Sequence, residues 1–262
     1  MNRIDQKFIQ LKKQNKKAFI AFITAGFPDL PTTARLVIEL EKNGTDIIEL
    51  GVPFSDPLAD GPTIQEASRY SLDQGTNLVK ILNLVKKLRK LTRLPICLMT
   101  YYNPVFCFGE KEFVDQAIAA GVDGVIIPDL PYEAAKEFSR YARRKGLVNI
   151  CFIGPTSSTA RIKAILKVAR GFIYYVSLTG VTGSRRSLAV DLKSKLSAIR
   201  KLTDKPVCVG FGISTACQVK AARKISDGVI VGSAIIAKIK ENIGRRNLAQ
   251  TVGNFVRRLS ET

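Results

Sequence analysis

Histidine is absent from all 262 residues of the chain. That absence removes Ser–His and Cys–His nucleophile pairs, and His-ligated zinc or iron sites, so acid–base work near neutral pH falls to Asp, Glu, Lys, Tyr or Cys. The five cysteines (Cys97, Cys107, Cys151, Cys208, Cys217) form no CxxC pair and no ligand cluster. Three of them lie in apolar strand-like runs and read as buried free thiols in a reducing compartment. Apolar runs long enough to cross a bilayer are missing as well, so no membrane partner is expected. Residues 1–17 are basic but lack the apolar centre of a secretory signal. The first strand-like run begins at Ala18, which leaves little room for a removable transit peptide.

Acidic groups are scarce: 22 Asp and Glu face 41 Lys and Arg, for a formal charge of +19. Such a balance invites a nucleic-acid reading. The distribution argues against it, because the basic residues fall mainly in helical stretches (Lys86-Lys87-Leu88-Arg89-Lys90, Arg143-Arg144-Lys145, Arg257-Arg258). No aromatic-interleaved basic stripe accompanies them. They read as solvated outer faces, and their field would help to attract an anionic substrate.

What is present is a regular alternation. Strand-like runs occupy 18–24, 46–50, 95–100, 124–127, 147–153, 171–176, 206–210 and 228–231. They are nearly continuous in apolar residues, as parallel strands covered on both faces must be. Helical stretches lie between them at 30–43, 78–91, 111–120, 132–144, 158–170, 188–201 and 215–224, and residues 1–14 form an extra helix before the first strand. About eight β-then-α units without a linker predict an α/β fold: one (β/α)8 TIM barrel over 1–262 with an extra N-terminal helix, rather than an open doubly wound sheet. Two helices end in a Gly-x-Asp step, Gly44-Thr45-Asp46 and Gly121-Val122-Asp123. The glycine suits a left-handed helix end and the aspartate opens the strand, a structural device without chemistry.

Loops that follow strands are the longer and more Gly-, Pro-, Asp- and Ser-rich ones, notably 51–64, 101–110 and 177–187. Barrel enzymes gather their catalytic groups at that end. Glu49 lies near the C-terminal end of the second strand, sharing a face with Ile47. A carboxylate in such a run must be paired, solvated at the barrel mouth or protonated. The mouth placement is the expected solution, with partial burial raising its pKa toward that of an acid–base catalyst. Asp56 and Asp60 sit in the proline-stiffened loop Ser55-Asp56-Pro57-Leu58-Ala59-Asp60-Gly61-Pro62, and one of them is expected to act as a second carboxylate. Phosphate needs free backbone N–H groups. Three glycine-rich segments offer them: 178–184, Gly210-Phe211-Gly212-Ile213-Ser214 and Val231-Gly232-Ser233-Ala234, the last two after the seventh and eighth strands. Of Tyr174 and Tyr175, alternation sends one into the barrel; Phe22, Met99, Tyr101, Ile126 and Phe211 also fall near strand ends and could wall a flat apolar substrate.

Several segments together resemble the α subunit family of tryptophan synthase along nearly the whole chain. They are Ala21-Phe22-Ile23-Thr24-Ala25-Gly26-Phe27-Pro28, the run from Glu49 to Gln65, Tyr101-Tyr102-Asn103-Pro104 and Ile127-Pro128-Asp129-Leu130-Pro131. Gly154-Pro155-Thr156-Ser157, Gly180-Val181-Thr182-Gly183 and Gly210-Phe211-Gly212-Ile213 complete the set. The resemblance implies retro-aldol cleavage of indole-3-glycerol phosphate to indole and glyceraldehyde 3-phosphate. Carried over by position, Glu49 moves protons, chiefly onto the indole C3, and Asp60 accepts the indole N–H. Phe22, Met99, Ile126, Phe211 and Tyr174 (rather than Tyr175) line the indole pocket. Gly183, Gly212, Gly232 and Ser233 hold the phosphate, and Thr182, on the loop 180–187, closes beside Asp60. The resemblance implies no metal or organic cofactor in this chain; pyridoxal phosphate belongs to a partner β subunit in an α2β2 heterotetramer. The β-contact surface would include Asp56, Pro57, Asn103, Pro104, Phe106, Asp129 and Pro131. The Lys/Ile-rich composition and motif wording look closest to cyanobacterial or plastid-type members, so the plastid stroma is favoured over the bacterial cytoplasm.

Overall fold

In the computed structural model, residues 1–176, 185–210 and 212–262 are described, with the backbone alone for 185–191. Eight parallel strands pair in chain order and close into a barrel: β1 (Ala18–Thr24), β2 (Ile47–Gly51), β3 (Ile96–Met99), β4 (Gly124–Ile126), β5 (Val148–Ile153), β6 (Ile173–Val176), β7 (Val207–Gly210) and β8 (Gly228–Val231). The helices in order are α1 (Arg3–Lys13), α2 (Leu30–Lys42), α3 (Pro62–Asp73), α4 (Leu78–Leu88), α5 (Tyr102–Phe108) and α6 (Glu110–Ala120). After them come α7 (Lys136–Lys145), α8 (Thr159–Val168), α9 (Arg185–Arg200), α10 (Ala216–Arg223), α11 (Ser233–Lys240) and α12 (Leu248–Ser260). The α/β barrel with an extra N-terminal helix is therefore present as the alternation predicts.

The strands are apolar on both faces because both are covered. Ile20, Ile47, Cys97, Ile126, Ile150, Tyr174, Cys208 and Ile230 belong to one buried cluster, the barrel interior. Their neighbours in sequence, among them Phe19, Ile48, Leu98 and Val229, pack in another with the helices. On the side of β6 and β7, Ile173, Tyr175 and Val209 do the same with α8 and α9. Alternation at period two thus sorts Tyr174 inward and Tyr175 outward.

Helix α1 earns its place by closing the barrel floor. Its amphipathic face presents Ile4, Phe8 and Leu11, and all three join the interior cluster. Phe8 meets the Phe172 ring at 5.7 Å between centroids. Burying each of these side chains is worth about 1.5–3 kcal/mol. Asn2 caps the helix by accepting from the Ile4 amide and donates through Nδ2 to the Asp123 carbonyl, which fixes the plug in register.

The floor also shows what the Gly-x-Asp steps do. Gly44 and Gly121 take the left-handed φ values of 91° and 92°. The aspartate that follows then reaches the amide of the preceding strand: Phe19 N donates to Asp46 Oδ2 at 2.9 Å and Ile96 N to Asp123 Oδ2 at 2.9 Å. Asp227, just before β8, repeats the arrangement with Val207 N at 3.0 Å. Amides that would be orphaned where a strand begins are thereby satisfied.

Residues 62–73, outside every expected helix, form α3, and α9 begins at Arg185, inside the expected loop 177–187. Two further segments differ from expectation. Residues 101–110, read as a loop, contain the helix α5. Its first amide, Tyr102 N, donates to Asp129 Oδ1 at 2.8 Å, and Pro104 falls in the first turn, where an N–H has no helical partner to lose. Residues 132–144, read as one helix, are helical only from Lys136 onward.

Candidate active site

Glu49 sits one turn of the pleat below the end of β2, level with Phe22 of β1 and Cys97 of β3. The sequence offers its carboxylate pairing, solvation or protonation and favours solvation at the mouth. The structure differs: Glu49 is 0% exposed, and neither carboxylate oxygen has a hydrogen-bond partner among the described residues. Burial alone raises its pKa from 4.5 to about 8, so the side chain is neutral at pH 7 and protonation is the solution adopted. Its charge, once formed, would be felt by Cys97 and Tyr174, whose own ionisation is pushed up first by burial and then by Glu49, and by Cys208, where burial and Asp227 come first.

Asp56 and Asp60, equal candidates in the sequence, separate by environment. Asp56 is exposed and accepts from the neighbouring Ser55 hydroxyl, a turn-forming contact. Asp60 is half-buried, and Tyr101 Oη donates to its Oδ2 at 3.0 Å. Burial raises the Asp60 pKa to about 6, with the Tyr101 hydrogen bond pulling the other way. The mouth therefore carries two carboxyl groups whose environments push the inner one higher than the outer, with the ionised one toward solvent and the neutral one inside.

Aromatic and apolar side chains surround these groups. Tyr174 projects into the barrel and packs on Phe152 with ring centroids 4.7 Å apart. Phe22 and Ile126 are buried and Met99 partly so, all on interior-facing positions. Glycines make the room. A Cβ at Gly210 would lie 2.6 Å from Tyr174 Cε1, and one at Gly51 would lie 2.7 Å from Phe22 Cζ. Phe152 was not singled out in the sequence; its period-two spacing from Val148 and Ile150 was the available signal.

Beside Phe22 the chain turns into α11. Gly232 precedes the helix and a Cβ there would come within 3.2 Å of the Phe22 ring. Ser233 opens the helix, with no side-chain cap over its first amides. Gly212, at φ 66°, lies exposed just after β7. Bare amides and positive dipole at a helix start make an anion site. Thr182, Gly183 and Phe211, the remaining expected site residues, lie outside the described residues. Among the described residues no cluster of three or more Asp, Glu or Cys could hold a metal ion.

A family model for the tryptophan synthase alpha chain matches residues 8–261. The tryptophan synthase alpha chain of Geotalea daltonii is 53% identical over 245 residues, covering 94% of this chain and 93% of the relative. That of Geotalea uraniireducens is 52% identical over 256 residues, covering 98% and 96%. Among solved structures, tryptophan synthase subunit alpha from Legionella pneumophila superposes with a TM-score of 0.92 at 37% identity, covering 100% of this chain and 98% of that one. A chain of the tryptophan synthase α2β2 complex from Pyrococcus furiosus superposes with a TM-score of 0.86 at 36% identity, covering 94% and 98%. These sequence relatives are bacterial, so the plastid expectation has no support; Lys/Ile-rich composition does not report compartment. With relatives more than half identical over nearly its full length and a family match from residue 8 to 261, the chain belongs to the tryptophan synthase alpha chain family.

Proposed function

We propose that Glu49 and Asp60 divide the acid–base work of the family's reaction, the retro-aldol cleavage of indole-3-glycerol phosphate to indole and glyceraldehyde 3-phosphate. The observation that carries this reading is the buried Glu49 carboxyl, without a hydrogen-bond partner among the described residues and neutral up to about pH 8. Breaking the bond from the indole ring to the side chain requires a proton on C3. A neutral acid in a dry barrel can supply it, because its conjugate base is held at high energy by the same burial. After donation Glu49 is a carboxylate. It then takes the proton of the hydroxyl that becomes the aldehyde, so the reaction ends with no net proton change.

Asp60, ionised above about pH 6, accepts the indole N–H and stabilises positive charge developing on the ring. Phe22, Met99, Ile126 and Tyr174 wall the flat indole, with Phe211 completing the pocket. Gly212, Gly232 and Ser233 hold the phosphate on bare amides, together with Gly183, and Thr182 closes beside Asp60. The reaction needs no metal or organic cofactor in this chain. Its partner is the β subunit, which holds pyridoxal phosphate and receives the indole. Leu58 and Phe106 stand 91% and 64% exposed on the two segments that Tyr101 ties together, next to Pro57 and Pro104, and fit that contact. Relatives of bacterial origin make the bacterial cytoplasm the compartment favoured for it.

The test is indole release from indole-3-glycerol phosphate by the purified chain, with and without a β subunit. Weak release alone and strong activation by β are expected. No release in either case would overturn the reading.

A further inference from the structure

The Tyr101 hydroxyl makes two hydrogen bonds to a single loop. It accepts from Ala59 N at 2.9 Å and donates to Asp60 Oδ2 at 3.0 Å. The backbone and the carboxylate of that loop are thus held by one oxygen atom. The ring that carries it is 4% exposed and stacks on Phe54 with centroids 5.3 Å apart. Its own backbone precedes α5, whose first amide is anchored on Asp129. The hydroxyl is accordingly placed by contacts within the chain itself.

We infer that Tyr101 is a positioning residue for the reaction: its hydroxyl fixes the Asp60 carboxylate through Oδ2 and leaves Oδ1 to receive the indole N–H. The inference rests on the proposed role of Asp60. A carboxylate at a loop tip otherwise turns freely about its side-chain bonds, and only one orientation presents a lone pair to a ring N–H. Holding a reacting group within a few tenths of an ångström is what a catalytic constellation requires. The hydroxyl also donates to the charged form of Asp60, which favours ionisation against the burial that opposes it. Other titratable groups act on this pair from a distance. Tyr174 of β6 feels both Glu49 and Asp60, and the Asp129 charge also acts on Tyr101.

The test is kinetic, in the complex with the β subunit, on Tyr101→Phe, Asp60→Asn and the double variant. Tyr101→Phe removes one oxygen and keeps the stacked ring. Its kcat is expected to fall about 10- to 100-fold, the range for a hydrogen bond to a charged group, with KM changed far less. The acid limb of its pH profile is expected to move upward, so that part of the rate returns at higher pH. Asp60→Asn is expected to be nearly inactive, and the double variant no worse than Asp60→Asn alone. A Tyr101→Phe enzyme slowed equally at every pH, or a double variant showing the product of the two losses, would mean that Tyr101 serves only the fold and would overturn the inference. Wild-type activity in Asp60→Asn would instead overturn the role of Asp60 on which it rests.

Discussion

The barrel buries two carboxyl groups at opposite ends and treats them oppositely. Asp123, at the floor, has a side chain 3% exposed and is surrounded by donors: Arg89 Nη2 at 2.6 Å, Arg3 Nη1 at 2.8 Å and Ile96 N at 2.9 Å. Glu49, near the mouth, is equally hidden and has no donor among the described residues. Arg89 is itself held by the carbonyls of Gly121 and Leu94, so the buried arginine of the floor network is satisfied along with its carboxylate. Two groups of one chemical class thus differ only in what was placed beside them. A buried charge with all its partners joins strands together; a buried acid with none keeps its proton and can give it away. The difference teaches which burial is architecture and which is chemistry.

The sharpest way to break this contrast is to neutralise each group in turn. Glu49→Gln should lower kcat for indole release by about three orders of magnitude, within the usual range for losing a general acid, while the protein folds normally; steady-state kinetics and circular dichroism check both halves. Asp123→Ala should do the reverse. It leaves Arg89 buried without its counter-ion and should cost about 3–5 kcal/mol in urea unfolding, with kcat per folded molecule little changed.

The pH dependence of stability sharpens the same contrast. The folded pKa of Glu49, about 8, lies above the unfolded 4.5. Its favourable contribution is therefore complete below pH 4.5 and is lost as pH rises through 8. Wild-type protein should lose on the order of a few kcal/mol across that window relative to Glu49→Gln, measured by denaturant unfolding at each pH. The smallest effect is expected beside the site. Gly210→Ala places a Cβ against the Tyr174 ring and should destabilise by about 1–3 kcal/mol and raise KM as Tyr174 is pushed toward the indole pocket.

Much of this contrast was legible in the sequence and part of it was not. Near-continuous apolar runs and the Gly-x-Asp steps are local signals, so the eight strands and the floor positions of Asp46 and Asp123 follow from them directly. Helix α5 was missed because its start depends on Asp129, 27 residues away, supplying a cap that no local pattern encodes. Glu49 was legible as an anomaly, a carboxyl inside an apolar run. Its state was not, because choosing among solvation, pairing and protonation requires knowing what lies across the barrel. Tyr101 was legible only as an aromatic near a strand end. The bond that gives it a role joins it to a loop 41 residues earlier.

The most direct measurement is the titration of Glu49 itself, by carbon-13 NMR of side-chain-labelled glutamate, with the resonance assigned by its loss in Glu49→Gln. A carboxyl carbon that titrates with a midpoint near 8 is the expected result. A midpoint near the ordinary value of 4.5 would contradict the claim that this barrel keeps an unpaired acid protonated for transfer to carbon.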